Sequence, residues 1–363
     1  MIKKILCVLC AAALLLSFSG CGTGSAAIKY KNTVLTANEY QFYLSRYKAQ
    51  ILSTYNSGQD NRSFWTKTMD EEGTTTIADF FSEIVKDNIK INAICLALFD
   101  EYGLSLSNDV YASIESEVKQ LIDEYGSRAE FNLAAAQFGV NAQILKGIYE
   151  KDAKIKAAYA YLYGDNGIDK VTDDERESYY NDNFLHIKTI FINTAYNILT
   201  DEDGNYIFDD SGYAKTEAKT EEEIKNAKDR ADSLEEMLKS GSDFEDLILT
   251  YSEDPAAADY PDGFYFTKQT NYYGNVIEIS EGLEEGQWGR AESEYGVHFV
   301  LRLPLEEKAY EEEKYYEFFD SFEDMIINNK FDEMIDERMK DVWIDEEVIS
   351  GISLLDVPQN QEM

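Results

Sequence analysis

Along the first third of the chain, apolar positions recur three and four residues apart. The segments TIADFFSEIVKDNIKINAICLALFDEYGL, DVYASIESEVKQLIDEYG, RAEFNLAAAQFGV and NAQILKGIYEKDAKIKAAYAYLYG all keep that rhythm, with Gly103, Gly126, Gly139 and Gly164 near the breaks. This part is predicted to be mostly helical. Ahead of it, KYKNTVLTANEYQFYLSRYKAQIL reads as a short strand entering a helix, with Thr36 and Glu39 as a capping box. Thr172 and Glu175 form a second box and begin a helix that hands over to a strand at His186. There the pattern changes: LHIKTIFIN alternates with period two, and GVHFVLRL is an apolar strand ending before Pro304. Between the two strands, TEEEIKNAKDRADSLEEMLKSG places Ile224, Ala227, Ala231, Leu234, Met237 and Leu238 on one helix face, and DFEDLILTYS is a shorter helix. Helical spacing returns with Tyr315, Phe318, Phe319, Phe322, Met325 and Ile326, then Phe331, Met334 and Ile335. A mixed α/β unit is therefore expected inside two helical parts. The C-terminal stripes are expected to pack back on the N-terminal helices.

Two segments do not fit these rhythms. Residues near 195–220 carry the turn formers of DEDGNYIFDDSGY and read as an inserted hairpin or loop. Their aspartates do not make a calcium loop, because the glycine is misplaced and the terminal bidentate Glu is absent. At the start, MIKK and the apolar ILCVLCAAALLLSF form a secretory signal, too short for a comfortable membrane span. SFSGCGTGS then resembles the lipobox of bacterial lipoproteins, with Phe18 where Leu is usual and Leu16 two residues further back. This resemblance implies a signal peptide over 1–20, a lipid on Cys21 and a tether over 21–28. The competing reading is a plain cleaved signal with a surplus cysteine. A lone exposed thiol outside the cell is a liability, which favours lipidation.

With Cys7 and Cys10 lost and Cys21 lipidated, only Cys95 remains, inside a helical run and most simply a core residue. No disulfide can form within the mature chain, so packing alone must hold the fold. The formal charge of −37 becomes more negative once Lys3 and Lys4 leave with the signal. Ordinary nucleic-acid binding needs a basic footprint and is excluded. An acidic surface favours solubility and attracts basic unfolded chains while repelling anionic lipid.

The ordered set LHIKTIFIN, AKDRADSLEEMLKSGSDFEDLILTYSEDPAA, DGFYF, GLEEGQWG and EYGVHFVLRL resembles the parvulin peptidyl-prolyl isomerases from about Phe184 to Leu303. With the lipobox and the helical flanks, the whole chain looks like the PrsA-type extracytoplasmic foldase lipoproteins, similar in plan to the SurA chaperones. The fold implied is α+β: a mostly helical chaperone-like domain at 29–180 completed by C-terminal helices at 306–363, with a parvulin domain at 181–305, a small antiparallel sheet with flanking helices. The resemblance places His186 and His298 at the family's two histidines and Asp254 at the position of Asp or Cys, as the catalytic set. It places Tyr272, Val276, Tyr295 and Phe266 where the proline ring is held. Here YPDGFYF keeps only Gly263 and its aromatic follow-on from the family's turn.

Rotation about an X–Pro amide must cross a barrier of roughly 18–20 kcal/mol without making or breaking a bond to the substrate. A dry apolar pocket with an oriented donor favours the twisted amide over the planar ones. Two imidazoles bonded to each other, with a carboxylate fixing the tautomer, would supply a stiff polar floor. Taken singly, each histidine reads as a satisfied core residue; together, on strands and with the Asp-Pro element between, they suggest a shared site. Two histidines without further ligands do not make a zinc site, and no cofactor is implied. The resemblance implies isomerisation of X–Pro bonds in unfolded or partly folded secreted polypeptides, outside the bacterial membrane and anchored to it by lipid. It also implies that some helical-domain aromatics, among them Tyr40, Phe42, Tyr43, Tyr47, Phe80 and Phe81, line a cleft, although core is the default for each. A homodimer through the helical domains is left open. Two other functions compete: a non-catalytic holdase with a degenerate parvulin domain, and a solute-binding lipoprotein, which would need two α/β lobes that the helical third does not provide.

Overall fold

The structure is a computed structural model that describes residues 24–363 except 70–72, 202, 204, 210, 255, 269, 271 and 362. The predicted signal sequence and Cys21 lie outside the described residues. The fold is α+β and divides into two compact units, one from the N-terminal side to Lys170 together with Ile327–Met363, the other Val171–Ile326.

In the first unit, β1 (Ala26–Tyr30) and β2 (Thr33–Thr36) form a hairpin that leads directly into α1 (Ala37–Tyr55). The start of α1 is fixed by the Thr36–Glu39 capping box: Thr36 Oγ1 accepts from the Glu39 N–H, and Glu39 accepts from the Thr36 N–H at 2.8 Å. Then come α2 (Ile77–Glu101), α3 (Asn108–Glu124), α4 (Arg128–Ala135) and α5 (Ala142–Tyr163). Their apolar faces, including Phe42, Leu52, Ile89, Ile94, Phe131, Leu145 and Ile148, make one core. Cys95 belongs to that interior, and burial pushes its thiol up to about 12, so it is inert at neutral pH.

The C-terminal segment returns to this unit as a strand as well as helices. The strand β9 (Trp343–Ile344) pairs antiparallel with β1, and Ile335, Ile349, Leu354, Val357 and Met363 enter the same core. The strand was not foreseen, because a two-residue strand has no periodicity of its own. Lys48 of α1, only 1% exposed, holds the tail: its Nζ reaches Asp60 at 2.8 Å, the Val357 carbonyl at 2.9 Å and the Leu355 carbonyl at 3.2 Å.

The second unit is built on an antiparallel sheet in the order β6–β3–β8–β7, with β3 Phe184–Asn193, β6 Phe264–Thr267, β7 Trp288–Glu292 and β8 Gly296–Leu303. Side chains alternate between faces along each strand. On one face Ile190, Ile192, Val297 and Phe299 pack under the amphipathic helices α7 (Glu221–Lys239) and α8 (Phe244–Tyr251). On the other, Ile187, Val300, Phe266 and Ala291 pack with Val276 of α9 (Gly274–Gly282). The short ribbon of β4 (Tyr196–Ile198) and β5 (Thr216–Ala218) occupies the inserted segment.

This unit extends past 181–305 at both ends. The helix α6 (Asp173–Asn183) contributes Tyr179 and Tyr180, which meet Phe184, Tyr265, Tyr310, Phe319 and Phe322 in an aromatic cluster. Tyr315 to Phe318 were expected as helix but lie in a 3-10 turn, because the aromatic rings pack on the sheet unit and bend the chain to follow it. The core helix α10 (Phe322–Met339) begins only after them.

One glycine is required by this packing. A Cβ on Gly296, opposite Asn193, would lie 2.1 Å from the Ile192 carbonyl oxygen and 2.8 Å from the Phe191 ring. Gly296→Ala is expected to destabilise the sheet unit by about 2 kcal/mol, read as a lower urea midpoint; a wild-type midpoint would contradict so close an approach.

Candidate active site

His186 and His298 do not share a site. His186 pairs with Leu303 across β3 and β8, whereas His298 pairs with Phe191. The two histidines are thus five rungs apart, an odd number, and odd offsets place side chains on opposite faces of a sheet. The expected imidazole–imidazole bond is corrected accordingly. His186 lies flat on Tyr265 with ring centroids 4.1 Å apart, and each of its nitrogens meets a backbone carbonyl, Nδ1 that of Pro304 and Nε2 that of Asp262, both at 2.9 Å. No ring nitrogen is left for a substrate. Its surroundings are structural: Gly263 has φ +103°, and a Cβ there would meet the Ile187 carbonyl at 2.6 Å and His186 Nε2 at 3.0 Å.

The face of β3 that His298 shares carries Ile187, Thr189 and Phe191. Thr189 is the one polar side chain of the three, opposite Val300 and diagonal to His298. It is buried and lies close to the Tyr272 phenol, yet its hydroxyl completes no hydrogen bond among the described residues. If the resemblance requires a polar residue on β3 facing His298, this threonine occupies that place. Counting parity back from His298 would have found it once the register was known.

His298 is 2% exposed, and desolvation pushes its ring down to about 4, so it is neutral at physiological pH. The tight turn between β7 and β8 sets its tautomer. Ser293 Oγ accepts from the backbone N–H of Tyr295 at 3.2 Å and of Gly296 at 3.3 Å, which fills its lone pairs. Its proton then goes to His298 Nε2 at 2.9 Å, in preference to the Gly296 carbonyl at 3.5 Å. With Nε2 accepting, the ring proton sits on Nδ1, and Nδ1 is buried with no partner among the described residues. The result is a neutral N–H donor whose orientation is fixed and which has no acceptor among the described residues.

Around this donor the rings close in. Phe191 stacks on His298 at 4.7 Å and Tyr273 lies 4.9 Å away. Tyr273 in turn touches Tyr272 at 5.0 Å and Tyr295 at 5.6 Å, and Tyr272 stacks on Phe266 at 6.1 Å. Tyr272 and Tyr295 therefore connect to His298 through Tyr273, and Phe266 lies one ring further out, beyond Tyr272. Val276 is fully buried beneath them in the core of α9 and is a support instead of a surface. Phe191, Tyr273 and Ser293 were not singled out from the sequence; Ser293, in the turn that precedes the strand, is the one with a legible signal.

Asp254 reaches the same region because its segment is stitched along the edge of β3. The Glu253 N–H donates to the Phe191 carbonyl at 2.8 Å, and Ser252 Oγ accepts from the Phe191 N–H at 3.2 Å. Burial and then the Asp254 carboxylate push the Tyr272 phenol up, so Tyr272 stays a neutral hydroxyl at physiological pH. Asp254 also raises Tyr273 after burial and the neighbouring tyrosines. Among the described residues no group of His, Cys, Asp and Glu is placed to hold a metal ion. What the arrangement offers is an apolar ring cage with neutral, pre-oriented donors.

Residues 185–301 match the PPIC-type PPIase domain family. They are a parvulin-type domain. Chaperone SurA from Methylococcus capsulatus is 32% identical over 85 residues, which cover 23% of this chain and 18% of that protein, so the chain spans less than a fifth of this relative's length. PrsA from Bacillus subtilis overlays with a TM-score of 0.24 at 16% identity, covering 81% of this chain and 92% of that one. PrsA from Bacillus cereus overlays with a TM-score of 0.31 at 18% identity, covering 79% and 92%. Within the parvulin domain, the family match runs through β3, α7, α8, β6, α9, β7 and most of β8, and so includes Thr189, Asp254, Ser293 and His298.

Ser293 holds the His298 tautomer through its Oγ–Nε2 hydrogen bond. Ser293→Ala is expected to free the ring tautomer and, on a catalytic role for His298, to slow Ala-Pro exchange about tenfold or more, with Ser293→Thr restoring most of the rate. The ¹⁵N shifts of His298 would report the tautomer directly; an unchanged tautomer in the alanine variant would remove Ser293 from this role.

Proposed function

We propose that the chain is a peptidyl-prolyl cis-trans isomerase and foldase that acts on unfolded secreted polypeptides outside the cytoplasmic membrane, held there by a lipid on Cys21. The observation that carries the catalytic part is the buried Nδ1–H of neutral His298, without an acceptor among the described residues, with Phe191 stacked on the ring, Tyr273 beside it and Tyr272 beyond Tyr273. A planar X–Pro amide has little basicity at nitrogen. Twisting breaks its resonance and returns a lone pair to that nitrogen, which becomes an acceptor only near the transition state. A donor fixed in a dry cage is stronger toward such an acceptor than water would be. The Tyr272 and Thr189 hydroxyls are further neutral groups for the substrate carbonyl or the flanking amide. No proton needs to leave the enzyme, so His298 and Asp254 have positioning and polarising roles.

The location rests on the signal-like and lipobox-like N-terminus, and no helix among the described residues is long and apolar enough to cross a membrane. The test is magnetisation exchange on an Ala-Pro peptide: wild type should exchange well above the uncatalysed rate. Cys21→Ala should release the protein into the medium. The holdase is favoured by one specific feature, Thr189 standing where a second imidazole was expected. Background exchange in wild type together with suppression of client aggregation would select it.

A further inference from the structure

We propose that the inserted segment at 195–220 is an arm that docks the stretch of client flanking the X–Pro bond, and that it prefers extended apolar and aromatic sequence bearing Lys or Arg. The inference rests on the His298 cage being the place where the client binds.

The segment is an ordered miniature sheet. The ribbon of β4 and β5 pairs Tyr196 with Ala218 and Ile198 with Thr216, and the chain then turns back so that Thr200 bridges Tyr206 and Phe208 bridges Ala214. Two aspartates close the turns: Asp201 Oδ1 accepts from the N–H groups of Asp203 and Asn205, both at 2.9 Å, and Asp209 Oδ1 from those of Ser211 at 2.9 Å and Tyr213 at 3.0 Å. Residues paired across strands or two apart along one share a face. Tyr196, Ile198, Tyr206 and Phe208 therefore lie on one face, with Thr200, Ala214 and Thr216 between them.

Among the described residues that face is unpartnered. Tyr206 is 58% exposed, Phe208 57% and Ile198 42%, and none of them enters a core that the described residues form. At its base it is continuous with the catalytic cage: Tyr196 meets Tyr295 at 6.3 Å, Tyr295 meets Tyr273 at 5.6 Å, and Tyr273 meets His298 at 4.9 Å. An apolar stripe thus leads from His298 out along the arm. At a rise of about 3.3 Å per residue, the run from Tyr196 to Thr200 matches about five residues of extended client. The arm's sequence contains six acidic residues against two lysines, and the described Asp201, Asp203 and Asp209 are exposed beside the apolar face. This charge suits a cationic client, repels anionic lipid, and disfavours a second copy of a chain whose own charge is −37.

The test uses the full-length protein and fluorescein-labelled peptides with a common Ala-Ala-Pro-Ala core. Five residues of Phe, Leu and Lys, or five of Ser and Glu, are added on either side, and binding is read by anisotropy. Wild type should prefer the Phe/Leu/Lys extension on at least one side by about tenfold, and Tyr206→Ser with Phe208→Ser should abolish the preference while keeping the wild-type unfolding midpoint. A preference that survives the double substitution, or is absent in wild type, overturns the inference. So does a wild-type dimer or binding to phosphatidylglycerol vesicles that the same substitutions abolish, since either would assign the face to another occupant. Because the readout is binding, a wild type with no Ala-Pro exchange would refute the isomerase and leave the arm to be judged on its own data.

Discussion

His298→Ala is expected to lower exchange on an Ala-Pro peptide about a hundredfold, whereas His186→Ala lowers the stability of the sheet unit and leaves the rate per folded molecule near that of wild type. The contrast follows from their faces. His298 offers a donor that has no acceptor among the described residues, while both nitrogens of His186 meet backbone carbonyls on the other side of the sheet. Equal losses in the two variants would restore the paired-histidine site and refute this assignment.

The same residue predicts a pH dependence of stability. Its pKa is about 4 in the fold against 6.5 in the open chain. Between those values the unfolded state binds more protons, so His298 weakens the fold as pH falls, from no penalty above 6.5 to about 3 kcal/mol below 4. Relief of carboxylate repulsion in so acidic a chain acts in the opposite direction, so the slope belongs in a difference measurement. Urea stability of wild type minus that of His298→Gln should decline between pH 6.5 and 4. Activity should stay flat from pH 6 to 8, because the ring is already neutral there. A parallel pair of stability curves would mean that His298 is not buried in the neutral form.

Lys48→Ala is expected to destabilise the helical unit by about 3–5 kcal/mol. The side chain is buried in the core of three converging segments, bonded to Asp60 and to the carbonyls of Leu355 and Val357, with its ammonium 5.6 Å from the Trp65 ring centroid. Removing it leaves two acceptors and a carboxylate without their donor and opens a space beside Trp65. Asp60 keeps its bond from Trp65 Nε1 at 2.9 Å, and its side chain is partly exposed, so some of that cost is screened. Lys48→Met separates the two effects, since it keeps the apolar stem and loses only the charge. Both variants should unfold at lower urea and release the segment after 353 to protease sooner, alanine more than methionine. A methionine variant indistinguishable from wild type would show that packing, and not the ammonium, holds the tail.

Much of this molecule was legible because it is local. The helical rhythm of the first third, the capping boxes at Thr36 and Thr172, and the strand at 185–193 each depend on near neighbours, and each reappears, the strand with apolar side chains buried on both faces instead of one. The turn-forming aspartates of the inserted arm act over four residues and were legible for the same reason. The aromatic run from 315 was less so, since Tyr315 keeps a helical spacing with Phe318 and Phe319 that its packing on Tyr265 overrides.

By itself, the sequence determined the α+β class, the order of most elements and the strand that bears His298. Only the tertiary structure decided which histidine faces Phe191 and Tyr273. Both faces of β3 are apolar, so alternation within the strand cannot say which of its residues share a face with His298; that is set by the register with β8, where one rung more or less exchanges every side chain between faces. The register sends His186 under the aromatic cluster and brings Thr189 toward His298, and it is a property of two strands more than a hundred residues apart.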